Sequence, residues 1–305
     1  MYLSGWDDVK VFLAAYRTKS LKGASIRLSM DQTTVSRRLT NLEKQLNSKL
    51  FYRTPDGLEP TEVAERVLNA AQEMERNSVS FLRLSEGTNG ELAGDVKIAT
   101  TDRLAVEFLM SAVKILRERH PNINVTMKLS AQIADMSRGE AEIAVRTQRP
   151  IAPELIAKRL GSWDVGLYAT QNYLDKFGIP EPGQHLANHD IAIYDNKFSS
   201  PAPDTIAGES RRDARIVARL TSSFLLTTFV RSGMALGELP CYQELRYPEL
   251  IRIWPEKSRK TKYDIWMVMH KDAAELARVR AVSEVISEVF EGEIKPFICT
   301  SSDLT

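Results

Sequence analysis

MDQTTVSRRLTNLEKQL, residues 30–46, sorts its side chains onto two faces of a helix. Val35, Leu39, Leu42 and Leu46 recur at spacings of four, three and four, which makes one narrow apolar stripe. Gln32, Thr33, Ser36, Arg37 and Thr40 fall opposite. There, short hydroxyls, an amide and a guanidinium stand in place of the Glu and Lys that usually coat a solvated helix. Asp31 precedes the stretch as an N-cap, its carboxylate able to accept the free N–H groups of the first turn.

The flanking sequence gives this helix a setting. Trp6, Val9, Phe12, Leu13 and Tyr16 form an earlier helical stripe, and Leu21, Ala24 and Leu28 form the buried face of a short second helix. A short helix, a turn at Ser29 and Met30, and a longer helix read as a helix-turn-helix. Next, KLFYRTPDGLEPTE has the pattern of a small hairpin turning at Pro55, Asp56 and Gly57, which would be a wing. Pro60 and Thr61 then open a helix with Thr61 as cap and Glu62 and Glu65 in its first turn. In it, Val63, Val67, Ala70, Met74, Asn77, Phe81 and Leu84 keep an unbroken four-three spacing, the seam of a two-stranded coiled coil. This helix calls for a second copy, and Asn77 on the seam would select register. EGTNGELAG, 86–94, is a polar hinge.

Composition fits that picture. The 305 residues are 43% hydrophobic and 27% charged, enough for more than one domain. No apolar run reaches the roughly 20 residues that span a bilayer, and MYLSGWDDVK lacks the order of a signal peptide, so a cytoplasmic protein without membrane partners is expected. Cys241 and Cys299 are the only cysteines and have no metal-ligand spacing. Residues 1–60 hold ten Lys or Arg against six Asp or Glu, an excess of +4 that leaves −3 for the rest of a chain totalling +1. The positive excess sits where a phosphate-contacting module would need it.

Beyond the hinge the rhythm becomes βαβ. DVKIAT reads as a strand, Asp102–Arg119 as a helix, INVTMKL as a strand followed by a short helix, and AEIAV as a third strand. A second set runs through DVGLYA, DIAIYD, ARIVARL, a helix from Ser222 to Ser232, and ALGEL; YDIWMVMH and a helix from Ala273 to Phe290 follow. Mostly parallel sheets covered by helices are implied, in two lobes around a cleft, and ligands of such sheets bind at the carboxyl ends of strands.

VFLAAYRTKSLKGASIRLSMDQTTVSRRLTNLEKQLNSKLFYRTPDGLEPTEVAE resembles the N-terminal pattern of the LysR-type transcriptional regulators nearly throughout. GDVKIATTDRLAVEFL, RGEAEIAVRTQRP, LGSWDVGLYATQNYL, VRSGMALGELPCY and IWMVMHKDAAELARVRAV extend the resemblance, leaving only the tail after Phe290 without a counterpart. The resemblance implies a winged helix-turn-helix DNA-binding domain over 1–60, a linker and dimerisation helix with hinge over 61–90, and over 91–305 a two-lobed α/β effector-binding domain similar to periplasmic binding proteins. Its first lobe would comprise about 91–162 and 264–305 and its second about 163–263. It further implies double-stranded promoter DNA and a small-molecule effector as partners, with assembly into a homodimer or homotetramer. Asp56 at the wing tip departs from relatives that carry basic residues there, and Pro60 and Ala64 stand where Leu and Gly are usual.

By position in the motif, Gln32 and Arg37 are assigned to base edges, Arg37 able to meet guanine bidentately. Thr33, Thr34, Ser36 and Arg38 would hold phosphates or read thymine methyl groups, and Arg53 is a candidate phosphate contact. In the cleft, Thr100 and Thr101 precede a helix start that suits a carboxylate, although Asp102, if turned inward, competes with an anion. Arg146 and Thr147 follow the third strand, and Thr221, Ser222 and Ser223 open a helix that the family often uses to contact effector. A carboxylate effector is thus one candidate, an amine or a neutral polar molecule the alternative. His185 and His189 lack further ligands and read as structural. No nucleophile elbow, phosphate loop or oriented acid-base pair is present, so no catalytic residue, metal or cofactor is assigned. The competing functions are an enzyme of the two-lobed α/β class and a small-molecule-binding protein.

Overall fold

The computed structural model describes residues 5–86, 92–129, 136, 139–150, 152–195 and 204–294. They divide after Ser85 into two compact units.

The first unit comprises α1 (Trp6–Thr18), α2 (Leu21–Leu28), α3 (Gln32–Gln45), the antiparallel hairpin of β1 (Phe51–Thr54) and β2 (Gly57–Pro60), and α4 (Glu62–Glu86). Val9, Phe12 and Leu13 of α1, Ala24 of α2, and Val35, Leu39 and Leu42 of α3 meet Leu50, Phe51 and Leu58 of the hairpin in one buried core. Each large side chain so removed from water contributes about 1.5–3 kcal/mol. In α2 only Ala24 is fully buried, while Leu21 and Leu28 pack at the core's margin. The hairpin docks on the α1–α2 turn through Leu58 N–H, which donates to the Lys19 carbonyl at 2.8 Å. Gly57 makes this possible: at φ +134° a Cβ would stand 2.4 Å from that same oxygen. Pro60 closes β2 rather than starting the helix, and Thr61 caps α4, accepting from Ala64 N–H and donating to the Lys49 carbonyl.

The seam expected along α4 is divided. Val63, Val67 and Leu68 pack against the core and Ala71 is buried, whereas Met74, Phe81 and Leu82 are 37%, 72% and 57% exposed.

The second unit begins with β3 (Gly94–Thr100), α5 (Asp102–Leu104), a π-helical turn (Ala105–Leu109), α6 (Met110–Arg119), β4 (Ile123–Leu129), β5 (Ile143–Arg146) and β6 (Leu155–Trp163). It continues with β7 (Val165–Thr170), α7 (Gln171–Phe177), β8 (Asp190–Tyr194), a short ladder of β9 (Thr205–Ile206) and β10 (Glu209–Ser210), β11 (Arg215–Leu220) and α8 (Ser223–Arg231). β12 (Leu236–Pro240), α9 (Gln243–Arg246), β13 (Leu250–Ile253), β14 (Tyr263–His270), α10 (Lys271–Ala274) and α11 (Ala277–Ile294) complete it. Two five-stranded sheets result, ordered β4-β3-β5-β14-β6 and β11-β8-β12-β7-β13. In each, three strands pair in parallel, a fourth (β14 or β7) runs against them, and the edge strand beyond it (β6 or β13) returns to the common direction, so the sheets are mixed, with four of five strands running the same way. The chain crosses between lobes at Asp164 and returns between β13 and β14.

The helix expected over Asp102–Arg119 is interrupted by the π-helical turn, and the one expected over Ala273–Phe290 is split into α10 and α11. Most of the polar hinge, the short helix expected after β4, Cys299 and the tail beyond Ile294 lie outside the described residues.

Candidate functional site

α3 is fastened at its start by Asp31. The carboxylate accepts Thr34 N–H at 2.8 Å and the Thr33 hydroxyl. These bonds favour the charged form and hold the group well below the usual carboxylate range. With Val35, Leu39 and Leu42 buried inward, Gln32, Thr33 and Arg37 are exposed and Thr34 and Ser36 half-buried. Arg37 shares the outer face with Asn41 and Lys44, and the three line two adjoining surface depressions. Asn41 and Lys44 were missed in the sequence, although they follow Arg37 at the helical spacings of four and seven.

The two remaining arginines differ. Arg38 turns toward α1, its guanidinium 3.1 Å from Asp8 and 3.7 Å from Asp7, and thereby braces the two helices. Arg53, exposed on β1, donates to the Ser36 hydroxyl at 3.1 Å and ties the wing to α3. A second tie was not foreseen. Buried Glu43, on the inner side of α3, accepts Leu50 N–H at 2.9 Å and Phe51 N–H at 3.4 Å, and pairs with Lys49 at 2.7 Å. Leu50 is fully buried, so its N–H has no water to turn to. Together these contacts join the first wing strand to α3.

In the second unit, side chains from both lobes enclose a cavity of about 630 Å³, within the range of small-molecule sites. Of the residues expected there, Thr101, Thr147 and Ser223 line it. Thr100 and Arg146 are buried beside strand ends without reaching the wall, Thr221 is exposed, and Ser222 is engaged as the N-cap of α8. Thr100 Oγ1 and the Nε and Nη2 of Arg146 have no hydrogen-bond partner, and burial pulls the Arg146 pKa down. Arg103, Glu238, Arg259, Lys262 and Tyr263 join the wall unforeseen. Glu238 accepts Ala207 N–H at 2.9 Å and faces Arg259 at 3.4 Å; its burial pushes its pKa up. Arg259 and Lys262 come from a basic run that has the look of a solvated loop.

The segment Asp102–Glu107 joins the lobes. The hydroxyls of Ser222 and Ser223, at the start of α8, both donate to the Asp102 carboxylate, the second at 3.0 Å. Arg103 donates through Nη2 to the Ser223 carbonyl. Glu107, buried in the π-helical turn, accepts from the Tyr242 hydroxyl and from Gln243 Nε2 at 2.9 and 3.0 Å, both on the chain leaving β12. Burial of these tyrosines disfavours the phenolate and raises Tyr263 to about 12. His189 lies 3.3 Å from the Tyr173 hydroxyl and His185 in the preceding loop; among the described residues no cluster of His, Cys, Asp or Glu has the makings of a metal site.

Comparison with known proteins adds two family models. Residues 6–65 match the bacterial regulatory helix-turn-helix protein of the lysR family, and residues 89–291 match the LysR substrate binding domain. An HTH-type transcriptional regulator of Xanthomonas campestris is 26% identical over 196 residues, which are 63% of this chain and 56% of that protein. The chain thus spans just over half of that relative. An uncharacterized HTH-type transcriptional regulator of Haemophilus influenzae is 21% identical over 86% of this chain and 92% of its own. Among solved structures, CrgA of Neisseria meningitidis, a LysR-type transcriptional regulator, superposes with a TM-score of 0.59 at 20% identity, covering 93% of this chain and 98% of CrgA.

Proposed function

The chain belongs to the LysR family of bacterial helix-turn-helix regulators, and from that premise we propose that it binds promoter DNA in the cytoplasm and changes transcription when a small molecule occupies its interlobe cleft. The observation that carries the DNA reading is the division of α3, with its Leu ridge buried and Gln32, Thr33, Arg37, Asn41 and Lys44 exposed together. A helix with that outer face matches the donor and acceptor edges of the major groove. Gln32 and Arg37 read base edges. Thr33, Thr34, Ser36, Arg38 and Arg53 contact the backbone or thymine methyl groups, Arg38 while still braced on α1.

Met74 and Phe81, seven residues apart on α4 and exposed, support dimerisation, since large apolar side chains at heptad spacing suit the seam of a two-stranded coiled coil. Two such dimers make the homotetramer. In the cleft, Thr101, Thr147 and Ser223 contact the effector directly, while Thr100, Arg146 and Ser222 stand behind them and exposed Thr221 lies off the wall. No described helix is long and apolar enough to cross a membrane. Gel-shift titration with the DNA upstream of the chain's own gene, followed by footprinting, tests the reading. A protected two-fold site is expected, and binding indistinguishable from that to random duplex at the same salt would overturn it.

A further inference from the structure

The linker helix α4 is gripped by α1 at two places. Tyr16, near the end of α1, donates its hydroxyl to the Glu65 carboxylate, 2.9 Å from Oε1 and 2.8 Å from Oε2. Its neighbour Arg17 reaches Glu75 with both terminal nitrogens, Nη1 to Oε1 at 2.9 Å and Nη2 to Oε2 at 2.5 Å, and the two side chains are only 18% and 17% exposed. A guanidinium fork on a carboxylate fixes direction as well as distance. The Tyr16 bond is exposed and contributes little, so the firmness of the grip rests on Arg17.

Glu65 and Glu75 stand about 15 Å apart along α4, at the helical rise of about 1.5 Å per residue. Between them Val67, Leu68 and Ala71 pack into the core. Apolar contacts are non-directional, so by themselves they resist separation of the two helices more than rotation. Polar grips on either side of them resist rotation. Glu75 also lies where the core-packed part of α4 gives way to exposed Met74 and Phe81, the residues of the dimer seam.

We infer that Arg17 and Glu75 set the angle at which α4 leaves the winged domain, and with it the half-site separation that two copies joined through α4 accept. The inference rests on the DNA and dimer readings above and adds what fixes the geometry between them. Both are positioning residues, since they lie on α1 and α4 and not on the outer face of α3. A dimer forced onto a wrongly spaced operator has to turn α4 against this pair, so the penalty for wrong spacing contains the cost of breaking it.

The test uses the full chain and the DNA upstream of its own gene, with one or two base pairs inserted or removed between the half-sites that footprinting protects, beside a duplex carrying a single half-site. Each base pair shifts a half-site by about 3.4 Å and turns it by roughly 35°. The parent is expected to lose affinity at every altered spacing. In R17M the preference for the natural spacing should shrink by about fivefold, the upper end for an ion pair partly open to solvent, while the single half-site binds as before. R17E combined with E75R rebuilds the pair in reverse and should restore the preference. Thermal melts establish that each variant is folded, and E75Q stands in should R17M fail that control. An undiminished preference in folded R17M and E75Q would overturn the inference. So would an equal loss on the single half-site, a charge swap as permissive as R17M, or a shift to monomer in sedimentation. A parent that protects no two-fold site would bring down the DNA reading itself, and the inference with it, before any variant is made.

Discussion

Replacing Glu43 separates two roles that one carboxylate performs. In Glu43→Ala the Leu50 N–H loses its acceptor in a place that is 0% exposed, and an unmet buried donor costs about 1–3 kcal/mol. The Lys49 pair adds little, because that ammonium is 72% exposed and such pairs contribute at most about 1 kcal/mol. The wing should therefore detach about 2–3 kcal/mol more readily, which amounts to roughly 30- to 150-fold faster amide exchange at Leu50 and Phe51. Glu43→Gln retains a carbonyl oxygen for Leu50 and surrenders only the charge, so exchange should accelerate less than about fivefold. Hydrogen exchange of the full-length chain resolves the two variants, and a gel shift reads the functional result: Arg53 is carried by the loosened strand, so DNA affinity should fall in Glu43→Ala and hold in Glu43→Gln. Equal exchange rates in the two variants, or no acceleration in Glu43→Ala, would refute the reasoning that the backbone acceptor, and not the ion pair, seats the wing.

Arg37→Ala should reduce operator affinity by about 1–3 kcal/mol and relax discrimination at the base it reads; footprinting of parent and variant measures both. Phe81→Asp places a charge on the exposed half of α4 and should shift sedimentation toward monomer at concentrations where the parent is assembled, with the fold of the first unit unchanged by circular dichroism. Hydrogen bonds from Arg215 hold the Asp190 carboxyl below its ordinary range. A depressed carboxylate stabilises the fold above its unfolded pKa and loses that contribution as pH falls through the folded value. The melting temperatures of parent and Arg215→Met should therefore differ at neutral pH and converge below about pH 4, near and under the unfolded carboxylate pKa, and a constant gap across that range would contradict the assignment.

Where burial follows local periodicity, the residues announced it. The Val35–Leu39–Leu42 ridge, the Asp31 cap and the strands DVKIAT, DIAIYD and YDIWMVMH all emerged at their places. What was hidden depended on distant partners. Val63 and Val67 share a heptad spacing with Met74 and Phe81, yet the hairpin ends near the first pair only, so spacing alone could not tell an internal contact from a dimer seam. Glu43 sits beside a Leu ridge and looks like one more solvated acid until Leu50 is folded against it. Arg103 likewise reads as half of an Asp-Arg pair in a helical first turn. Its place is visible only once the start of a helix more than a hundred residues later supplies the Ser223 carbonyl. The π-helical turn has no local signature here, since it is Glu107's distant partners Tyr242 and Gln243 that reward the extra residue.

One stretch, Asp102 to Glu107, forms part of the chamber's lining and also rivets its two halves together. Sensing and mechanical bias are therefore inherited as a unit. A lineage that altered position 103 to welcome a different molecule would in the same stroke reset how readily the halves part when empty, whereas a change at Gln148, which lines the chamber without riveting it, would alter preference and leave the resting output alone.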